Sequence, residues 1–567
     1  MSPSPHEETA MFDRHFRVWP KGLPKQLTVA ATSVHYNLEV SAARYPDKTA
    51  IAYYGSDISF RRLKTEADAV AAWLQQHCGV GRGDRVILYM QNSPQYIIGY
   101  YGILTAGAVV VPANPMNLTG ELSHYVEDSG ARVALCGQEL YPYLRPLLVD
   151  GDLTHAAVAA YGSYITEDLG LALPDVVRAP EATPEEQGAV SWSRVLDAGQ
   201  ALTLAPVDVG PDDMAVIPYT SGSTGRPKGC VHTHHSVMAT AQGGVLWNPM
   251  QVNHVNLATL PFFHVTGMQS SMNGPLSTGT TTVVMTRWDR TTAAELIQHY
   301  GVTHWRNITT MAVDFLNNPE LGQYDLSTLQ AIGGGGAAMP SAVAEKLHTM
   351  TGLSYIEGYG MSETIAQTHV NPPDEPKAQC LGIPVFDVDS RVIDPETLAE
   401  QPPGEVGEII MHGPQVMREY WNNPDATAET FMEMDGKRFL RSGDLGYYDE
   451  DGYFFMVDRL KRMINASGYK VWPSEVESML YGHPAIQEVC VISTPDPKRG
   501  ETVKAVAVLR PDAADSTSEQ DIIDWARGQM AAYKAPRYVE FVERLPRSGT
   551  GKLLWRELQE AERSQSG

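Results

Sequence analysis

The sequence has few cysteines, and their spacing argues against two classes of protein. The five cysteines are far apart in the chain and form no C-x-x-C pair; they are Cys78, Cys136, Cys230, Cys380 and Cys490. A disulfide framework and a structural zinc site both need closer or paired spacing, so reduced and mostly buried thiols are the better interpretation.

Basic residues are also scarce. The chain of 567 residues has 43 Lys and Arg against 67 Asp and Glu, which gives a formal net charge of −24. Such a surface repels nucleic acid and anionic membranes, so neither is an expected partner. If the protein binds a polyphosphate, it must concentrate its few cations at one place in the chain.

No segment has the features of a membrane span or a signal peptide. Two long stretches, Val86–Gly120 and Gly229–Thr286, lack charged residues, but prolines interrupt both. In the first we predict a strand, a helix over about Gln95–Thr105 and a second strand, all buried in an α/β core. The N-terminus has no basic segment followed by an apolar one. We therefore expect a cytoplasmic protein without an integral membrane segment.

The order of strand and helix signals predicts the fold class. The length suggests about two to four domains or subdomains. An amphipathic helix over Ser59–Gln76 is followed by a strand over Arg85–Met90, and the alternation continues, which is typical of layered α/β subdomains with a largely parallel sheet. From about Val388 short strands predict a β-rich subdomain. Past Arg459 the signals predict a small, separate α+β domain of roughly 100 residues.

Tyr219–Gly229 is the segment best suited to bind a polyphosphate. It reads Tyr-Thr-Ser-Gly-Ser-Thr-Gly-Arg-Pro-Lys-Gly. Its glycines let backbone N–H groups approach an anion, its hydroxyls donate hydrogen bonds, and Arg226 and Lys228 neutralise charge. It does not match the Walker A pattern. The alternative is a flexible surface turn rich in serine and glycine.

Two glycine-rich segments follow and predict a nucleotide-base site. Gly333–Pro340 comes after a strand. It forms either a flat surface on which a base stacks or a tight turn from a strand to a helix. In Glu357–Thr364 the glycines on both sides of Tyr359 leave its ring free to lie over a base. Glu363 offers a carboxylate oxygen for Mg²⁺, which needs only one or two protein carboxylates beside substrate phosphates. The alternative is that Ser362 is the N-cap of a following helix.

Further polar residues each have a functional and a structural interpretation. Asp444 lies in a turn and is either a ribose ligand or a plain turn residue. Asp458–Lys470 is a cluster of cations, as expected if this acidic protein binds a polyphosphate. Lys552 lies on a glycine-rich loop, where it can reach developing negative charge or simply be solvated. His264 either bounds an acyl pocket or packs in the core. We interpret His232, His234 and His235 as structural, because no carboxylate or cysteine pattern accompanies them.

These motifs, in this order, resemble those of the acyl-adenylate-forming enzymes: acyl-CoA synthetases, adenylation domains of peptide synthetases and beetle luciferases. The resemblance covers about residues 35–558, and the Tyr219–Gly229 loop is its most specific part. It implies an N-terminal adenylate-forming domain over 1–458, a hinge over 459–463 and a small mobile C-terminal domain over 464–567. Two departures are Ser362, where many members have Thr, and Asp458, where Gly is common.

The resemblance also implies the site residues. Lys552, Lys228, Glu363 and His264 would be catalytic, Lys461 would be the hinge, Gly468 would lie against CoA, and Thr220 would assist Glu363 in binding Mg²⁺. The implied ATP and AMP ligands are Thr220, Ser221, Gly222, Ser223, Thr224, Gly225, Lys228, Gly336, Ala337, Ala338, Gly358, Tyr359, Gly360, Met361, Ser362, Asp444, Arg459 and Lys552.

The implied reaction is an ATP-dependent ligation of a carboxylic acid to CoA. The carboxylate attacks MgATP to give acyl-AMP and pyrophosphate; the small domain then rotates about Lys461, and CoA displaces AMP. Alternatives are a stand-alone enzyme that loads a carrier protein and a catalytically silent nucleotide-binding protein. The oligomeric state stays open, a homodimer included.

The acid is less well defined by the sequence. The candidate acyl pocket is formed by His264, Val265, Met268, Thr309 and Gly334. Small and apolar neighbours suit an aliphatic tail, and no carboxylate or cation stands out that would mark an amino acid as the substrate. The composition therefore favours medium- or long-chain fatty acids over aryl acids.

Overall fold

The computed structural model describes residues 12–220, 226–336, 338–466, 469–496, 500–511, 513, 516–547 and 553–566. The chain divides into two compact units. The first comprises residues 1–389 and 411–440, and the second comprises residues 390–410 and 441–567.

The strands are numbered in chain order. They are β1 (Thr49–Tyr53), β2 (Ser56–Ser59), β3 (Arg85–Tyr89), β4 (Val109–Pro112), β5 (Val133–Gly137), β6 (His155–Ala159), β7 (Ala189–Ser191), β8 (Met214–Val216), β9 (Tyr219–Thr220), β10 (Lys228–Gly229), β11 (His232–Thr233), β12 (Val255–Ala258), β13 (Thr281–Val284), β14 (His304–Asn307), β15 (Ala331–Gly335), β16 (Tyr355–Met361), β17 (Ala366–Val370), β18 (Ile383–Pro384), β19 (Asp389–Ile393), β20 (Gly407–His412), β21 (Phe431–Met434), β22 (Lys437–Tyr448), β23 (Phe454–Arg459), β24 (Ile464–Ala466), β25 (Tyr469–Val471), β26 (Ile486–Asp496), β27 (Gly500–Leu509) and β28 (Tyr538–Phe541).

The helices are numbered in the same way. They are α1 (Tyr36–Arg44), α2 (Phe60–Gln76), α3 (Pro94–Thr105), α4 (Thr119–Ser129), α5 (Tyr141–Val149), α6 (Asp175–Arg178), α7 (Trp192–Gln200), α8 (His234–Trp247), α9 (Val265–Gly267), α10 (Gly274–Thr278), α11 (Arg290–Tyr300), α12 (Thr309–Leu316), α13 (Ser341–Thr351), α14 (Pro424–Thr430), α15 (Pro473–Leu480), α16 (Glu519–Gln529) and α17 (Trp555–Ser566). Met268–Asn273 forms a π-helical segment between α9 and α10.

A seven-stranded sheet forms one layer of the first unit, in the order β11-β8-β4-β3-β5-β6-β7. Its strands are parallel except at β11, which is antiparallel to β8. β4 is buried along its whole length, as expected of a parallel strand covered on both faces. The charge-free segment after Val86 thus forms strand, helix and strand, as predicted. Ser93 caps α3 and Pro94 begins it, which explains where this helix starts.

A nine-stranded sheet forms the second layer, in the order β18-β17-β16-β15-β14-β12-β13-β1-β2. The strands from β16 to β1 in this order are parallel, and β17, β18 and β2 are antiparallel additions at the edges. The carboxyl ends of β14, β15 and β16 therefore lie together, and ligands of open α/β sheets bind at such ends.

Within the described residues, no helix combines the length and apolar character that a membrane span requires.

The second unit is smaller and mixes antiparallel strands with helices. β22 and β23 pair through Asp444 and Arg459. A further sheet has the order β25-β24-β27-β26, with β28 parallel to β27. α15 and α16 contribute apolar residues to the core of this sheet. The predicted fold class, α/β with a β-rich part and a small α+β part, is confirmed, whereas the domain limits 1–458, 459–463 and 464–567 stay a prediction.

Candidate active site

The base of the candidate phosphate loop is closed by a short antiparallel pair. Thr220 on β9 lies opposite Lys228 on β10, and Tyr219 lies opposite Gly229. Gly229 is required here, because a Cβ would lie only 2.6 Å from Cγ2 of Ile217. The predicted ligands Ser221, Gly222, Ser223, Thr224 and Gly225 lie outside the described residues.

The chain that leaves this loop is paired with a distant segment, residues 418–421. Val231 N donates to the Glu419 carbonyl at 2.9 Å, and Trp421 N donates to the Gly229 carbonyl at 2.8 Å. This pairing puts the Tyr420 ring beside the loop, with Nζ of Lys228 4.7 Å from its centroid. A cation over an aromatic face is attracted by the ring, so the position of the Lys228 ammonium depends on Tyr420.

Glu363, the predicted magnesium ligand, is held from two directions in the same region. Tyr420 Oη donates a 2.7 Å hydrogen bond to Oε1 of Glu363, and Met417 N donates to the Glu363 carbonyl at 2.7 Å. His232 approaches from the other side, with Nε2 2.7 Å from the carbonyl oxygen of Ser362. Burial lowers the pKa of His232 to about 4, so the ring is neutral and Nε2 donates to this carbonyl. Glu363 is thereby fixed beside the exit of the phosphate loop.

The donor set at Glu363 fits Mg²⁺. Oε1 is engaged by Tyr420, and no donor in the described part of the chain contacts Oε2. A carboxylate oxygen with that freedom is a suitable ligand for an ion that keeps most of its other positions for water and phosphate. Among the described residues there is no group of three or more His, Cys, Asp and Glu that could hold a metal by itself. Thr220, the predicted helper, is half-buried at the base of the loop.

The alternative interpretation of Ser362 as a helix N-cap is wrong. Ser362–Thr364 forms a single 3₁₀ turn, Ile365 follows with φ of 45°, and the chain continues as strand β17. The side chain of Thr364 donates to carbonyl oxygens of Met361 and Ala366 and closes this turn. Strand β17 begins at Ala366, so too few residues follow Ser362 to form a helix.

The predicted adenine residues lie at the carboxyl ends of β15 and β16. Gly336 and Ala338 are exposed, Ala337 lies outside the described residues, and Tyr359 is half-buried on β16 with its ring centroid 5.6 Å from that of His369. The predicted ligands around Tyr359, which are Gly358, Gly360 and Met361, belong to the same strand. The structure therefore brings the two glycine-rich segments to one edge of the sheet.

Glu357 joins these two segments. Its carboxylate accepts hydrogen bonds from Met339 N at 3.1 Å and Gln379 N at 3.0 Å. Burial raises the pKa of Glu357 to about 7, and these two hydrogen bonds oppose the rise. The carboxylate thus fixes the chain after Gly336 against β16, a role that the sequence did not indicate.

The predicted ribose ligands are neighbours in the second unit. Nε of Arg459 lies 2.9 Å from Oδ1 of the buried Asp444, across the β22–β23 pair. Asp458, the departure from the common Gly, accepts from Ser474 N at 2.8 Å and so caps the start of α15. Lys461 lies in the 3₁₀ turn Leu460–Arg462 that follows. The predicted Gly468 and Lys552 lie outside the described residues.

The candidate acyl-pocket residues differ in exposure. Val265 and Met268 are fully buried in the largest apolar cluster, Gly334 is buried on β15, and Thr309 is half-buried at the start of α12. His264 is exposed and caps α9, with Nδ1 accepting from Thr266 N at 3.4 Å. The alternative of a packed core histidine is therefore wrong.

Models of two families match the chain. The model described as AMP-binding enzyme matches residues 38–421, and the model of the AMP-binding enzyme C-terminal domain matches residues 475–552.

Curated relatives match almost the whole chain. A long-chain-fatty-acid–CoA ligase of Bacillus subtilis (strain 168) is 35% identical over 559 residues, which is 96% of this chain and 97% of the relative. One of Escherichia coli O157:H7 is 32% identical over 562 residues, 96% of this chain and 98% of the relative. A feruloyl-CoA synthase of an Amycolatopsis species is 33% identical over 517 residues, 90% of this chain and 95% of the relative.

Solved structures are similar over the same extent. ATP-bound MatB from Rhodopseudomonas palustris has a TM-score of 0.82 and 26% identity, over 95% of this chain and all of that chain. The anthranilate CoA ligase AuaEII in complex with anthranoyl-AMP has a TM-score of 0.81 and 27% identity, over 96% of this chain and 98% of that chain.

Proposed function

Because the chain belongs to the AMP-binding enzyme family, we propose that it is an AMP-forming acid–CoA ligase, that is, an acyl-CoA synthetase. The observation that carries this proposal is the arrangement around Tyr420, which contacts both Lys228 of the phosphate loop and the carboxylate of Glu363. A cation and a metal-binding oxygen held side by side suit the polyphosphate of MgATP.

In the first half-reaction, a carboxylate oxygen of the acid attacks the α-phosphorus of ATP. The bond from that phosphorus to the bridging oxygen breaks, and acyl-AMP and pyrophosphate form. Lys228 and Lys552 offset the negative charge on the phosphates; Glu363, with help from Thr220, would hold Mg²⁺, which would supply further charge compensation. The substrate itself is the nucleophile, so the residues mainly orient the two reactants.

In the second half-reaction, the CoA thiolate attacks the acyl carbon, the bond to the AMP oxygen breaks, and AMP leaves. We assign the hinge to residues 459–463 around Lys461 and the CoA contact to Gly468. Rotation of a C-terminal domain over 464–567 would withdraw Lys552 after the first step. The same site could then carry out two different reactions in turn, adenylation and thioester formation. Arg459 and Asp444, paired on adjacent strands, suit the ribose of the nucleotide.

The acid is an aliphatic acid of medium or long chain in this proposal. The buried, apolar Val265 and Met268 support it, as do the fatty-acid ligases among the relatives. The aryl-acid alternative is favoured by the feruloyl-CoA synthase and the anthranilate ligase. The use of ATP and CoA, together with five cysteines that form no disulfide, supports a cytoplasmic location.

The test is an assay of AMP release with purified protein, ATP, Mg²⁺, CoA and a series of acids. The series contains straight-chain acids of graded length and a set of benzoates. We expect AMP release to require ATP, Mg²⁺, CoA and an acid, and to be fastest with an aliphatic acid. A benzoate that outran every aliphatic acid would contradict the assignment of the acid, and the absence of AMP release with every acid would contradict the ligase function.

A further inference from the structure

Arg306, on β14, is a cation within the parallel sheet of the first unit. No carboxylate of the described residues lies within ion-pair distance of its guanidinium. Its one side-chain hydrogen bond among those residues is a long one, from Nη1 to the Ile356 carbonyl at 3.5 Å. Arg306 is half-buried, and an arginine in such a position commonly pairs with an acidic group, so an anion would complete this environment.

The strand register shows which face of the sheet Arg306 occupies. Arg306 lies opposite Ala258 of β12 and opposite Gly333 of β15, and in register these positions share one face. Ala258 packs in the apolar cluster that contains Val265 and Met268. The preceding positions pack in another cluster on the opposite face: Leu257, Trp305 and Ile332. Arg306 therefore faces the side on which Val265 and Met268, two of the candidate acyl-pocket residues, pack.

Gly333 provides the space for the guanidinium. A Cβ at this position would overlap both Nη1 of Arg306 and the Ile356 carbonyl oxygen. Residue 333 can therefore be only glycine while Arg306 keeps this conformation. The guanidinium is thus accommodated over Gly333, beside the backbone of β16.

The charge of this guanidinium needs an anion. Half-burial leaves the charge only partly solvated, and a bidentate carboxylate is the geometry that a guanidinium fits best. Burial lowers the pKa of Arg306, which reflects the same missing compensation. A neutral hydroxyl would accept a hydrogen bond but would leave the charge uncompensated, so an anionic group is the better match.

We propose that Arg306 binds a second carboxylate at the far end of the acid, so that the preferred substrate is a dicarboxylic acid. This inference rests on the ligase function proposed above and specifies its substrate class. The chain length of that acid is left to the experiment.

The experiment compares matched pairs of mono- and dicarboxylic acids of equal chain length. For wild-type protein we expect a higher kcat/KM for the dicarboxylic acid at one chain length or more. Arg306→Leu should lower kcat/KM for that acid roughly a hundredfold, as expected when one partner of a buried ion pair is removed, and should reverse the preference. Arg306→Lys, which keeps the charge but loses the bidentate geometry, should lie between the two.

The control is Arg85→Leu. Arg85 is also a half-buried arginine of the first unit, and its guanidinium donates to the carbonyl oxygens of Ser129 and Gly83. We expect this substitution to leave the ratio of the two kcat/KM values unchanged. The midpoint of thermal unfolding, measured for each variant, separates loss of fold from loss of specificity.

Three results would overturn the proposal. One is a wild-type protein that prefers the monocarboxylic acid at every chain length, a result that does not depend on whether any variant folds. Another is an unchanged preference in Arg306→Leu. The third is an equal loss for both acids in that variant, which would place the activated carboxylate at Arg306. If wild-type protein releases no AMP with any acid, it is the ligase function that fails.

Discussion

Tyr420 and Glu363 are 57 residues apart in the chain, and the phenol Oη of Tyr420 donates a 2.7 Å hydrogen bond to Oε1 of Glu363. Tyr420 is buried, and burial together with the charge of Glu363 raises its pKa, so the phenol stays protonated and acts as the donor. The face of the same ring lies 4.7 Å from Nζ of Lys228. Tyr420 is thus a positioning residue for both charged groups.

Tyr420→Phe keeps the ring under Lys228 but removes the hydrogen bond to Glu363. We expect the Mg²⁺ concentration for half-maximal rate to rise about tenfold, because a hydrogen bond to a charged group contributes roughly 1.5–3 kcal/mol. KM for the acid should not change. Titration of Mn²⁺ into the protein with a non-hydrolysable ATP analogue, followed by electron paramagnetic resonance, should show weaker metal binding by a similar factor.

The matched control for this prediction is Tyr141→Phe. Tyr141 Oη also donates at 2.7 Å to a glutamate, Oε2 of Glu186, far from the loop in sequence. We expect this variant to bind Mn²⁺ like wild type. Equal metal affinity in Tyr420→Phe and Tyr141→Phe would contradict the positioning role.

Glu357→Gln should change how stability depends on pH. The folded-state pKa of Glu357 is raised to about 7, above its ordinary value of 4.5. Its contribution to stability is therefore fully present below pH 4.5 and is lost as the pH rises through 7, by on the order of 3 kcal/mol. Gln does not titrate, so this loss disappears in the variant.

The measurement is the free energy of unfolding by urea, for both proteins, at several values of pH between 5 and 8. The difference, wild type minus Glu357→Gln, should fall as the pH rises. A difference that is constant over this range would show that Glu357 is ionised in the folded protein throughout.

Gly360→Ala should disrupt the edge of the sheet at which the adenine is proposed to bind. A Cβ on Gly360 would overlap the carbonyl oxygen of Ala366 on the adjacent antiparallel strand, and a backbone atom cannot move aside without breaking the pairing. We expect ATP affinity to fall more than tenfold, measured by titration calorimetry, and the unfolding midpoint to fall by several degrees. Gly322→Ala is the control, because a Cβ there meets no atom within 4 Å. Similar ATP binding by both variants would contradict the assignment of this strand.

Lys552→Ala separates the two half-reactions. We expect formation of acyl-AMP from acid and ATP to be abolished, because the lysine is proposed to act on the phosphates. Formation of acyl-CoA from supplied acyl-AMP and CoA should be nearly unchanged, because the proposal withdraws the lysine in that step. Equal loss of both reactions would contradict the division of roles between two domain positions.

The hydrophobic periodicity of the sequence predicted the bounds of a helix or strand closely where its apolar residues form one buried face. The helix predicted over Ser59–Gln76 spans Phe60–Gln76, and the strand predicted over Arg85–Met90 spans Arg85–Tyr89. β22 is a long strand, Lys437–Tyr448, whereas only short strands were predicted after about Val388. Burial alternates only partly along β22, so turn-like residues such as Ser442 and Gly443 concealed its continuity.

The site was predicted as a set of residue types but not as a set of contacts. Asp444 and Arg459 were predicted separately, and only the strand register makes them a pair. No sequence pattern indicates a site role for Tyr420, because its partners are distant in the chain. A pattern does single out Arg306, since a charged residue within a buried parallel strand is unusual. Its importance, however, depends on the absence of an acidic partner, which only the structure shows.

The central claim is that the carboxylate of the acid attacks the α-phosphorus of ATP and that CoA then releases AMP. The most direct test uses an acid with both carboxylate oxygens labelled with ¹⁸O, in a reaction with ATP, Mg²⁺, CoA and wild-type protein. Mass spectrometry of the products should find one ¹⁸O atom in each AMP and none in pyrophosphate. Label in pyrophosphate or in free phosphate, or AMP without label, would contradict the account.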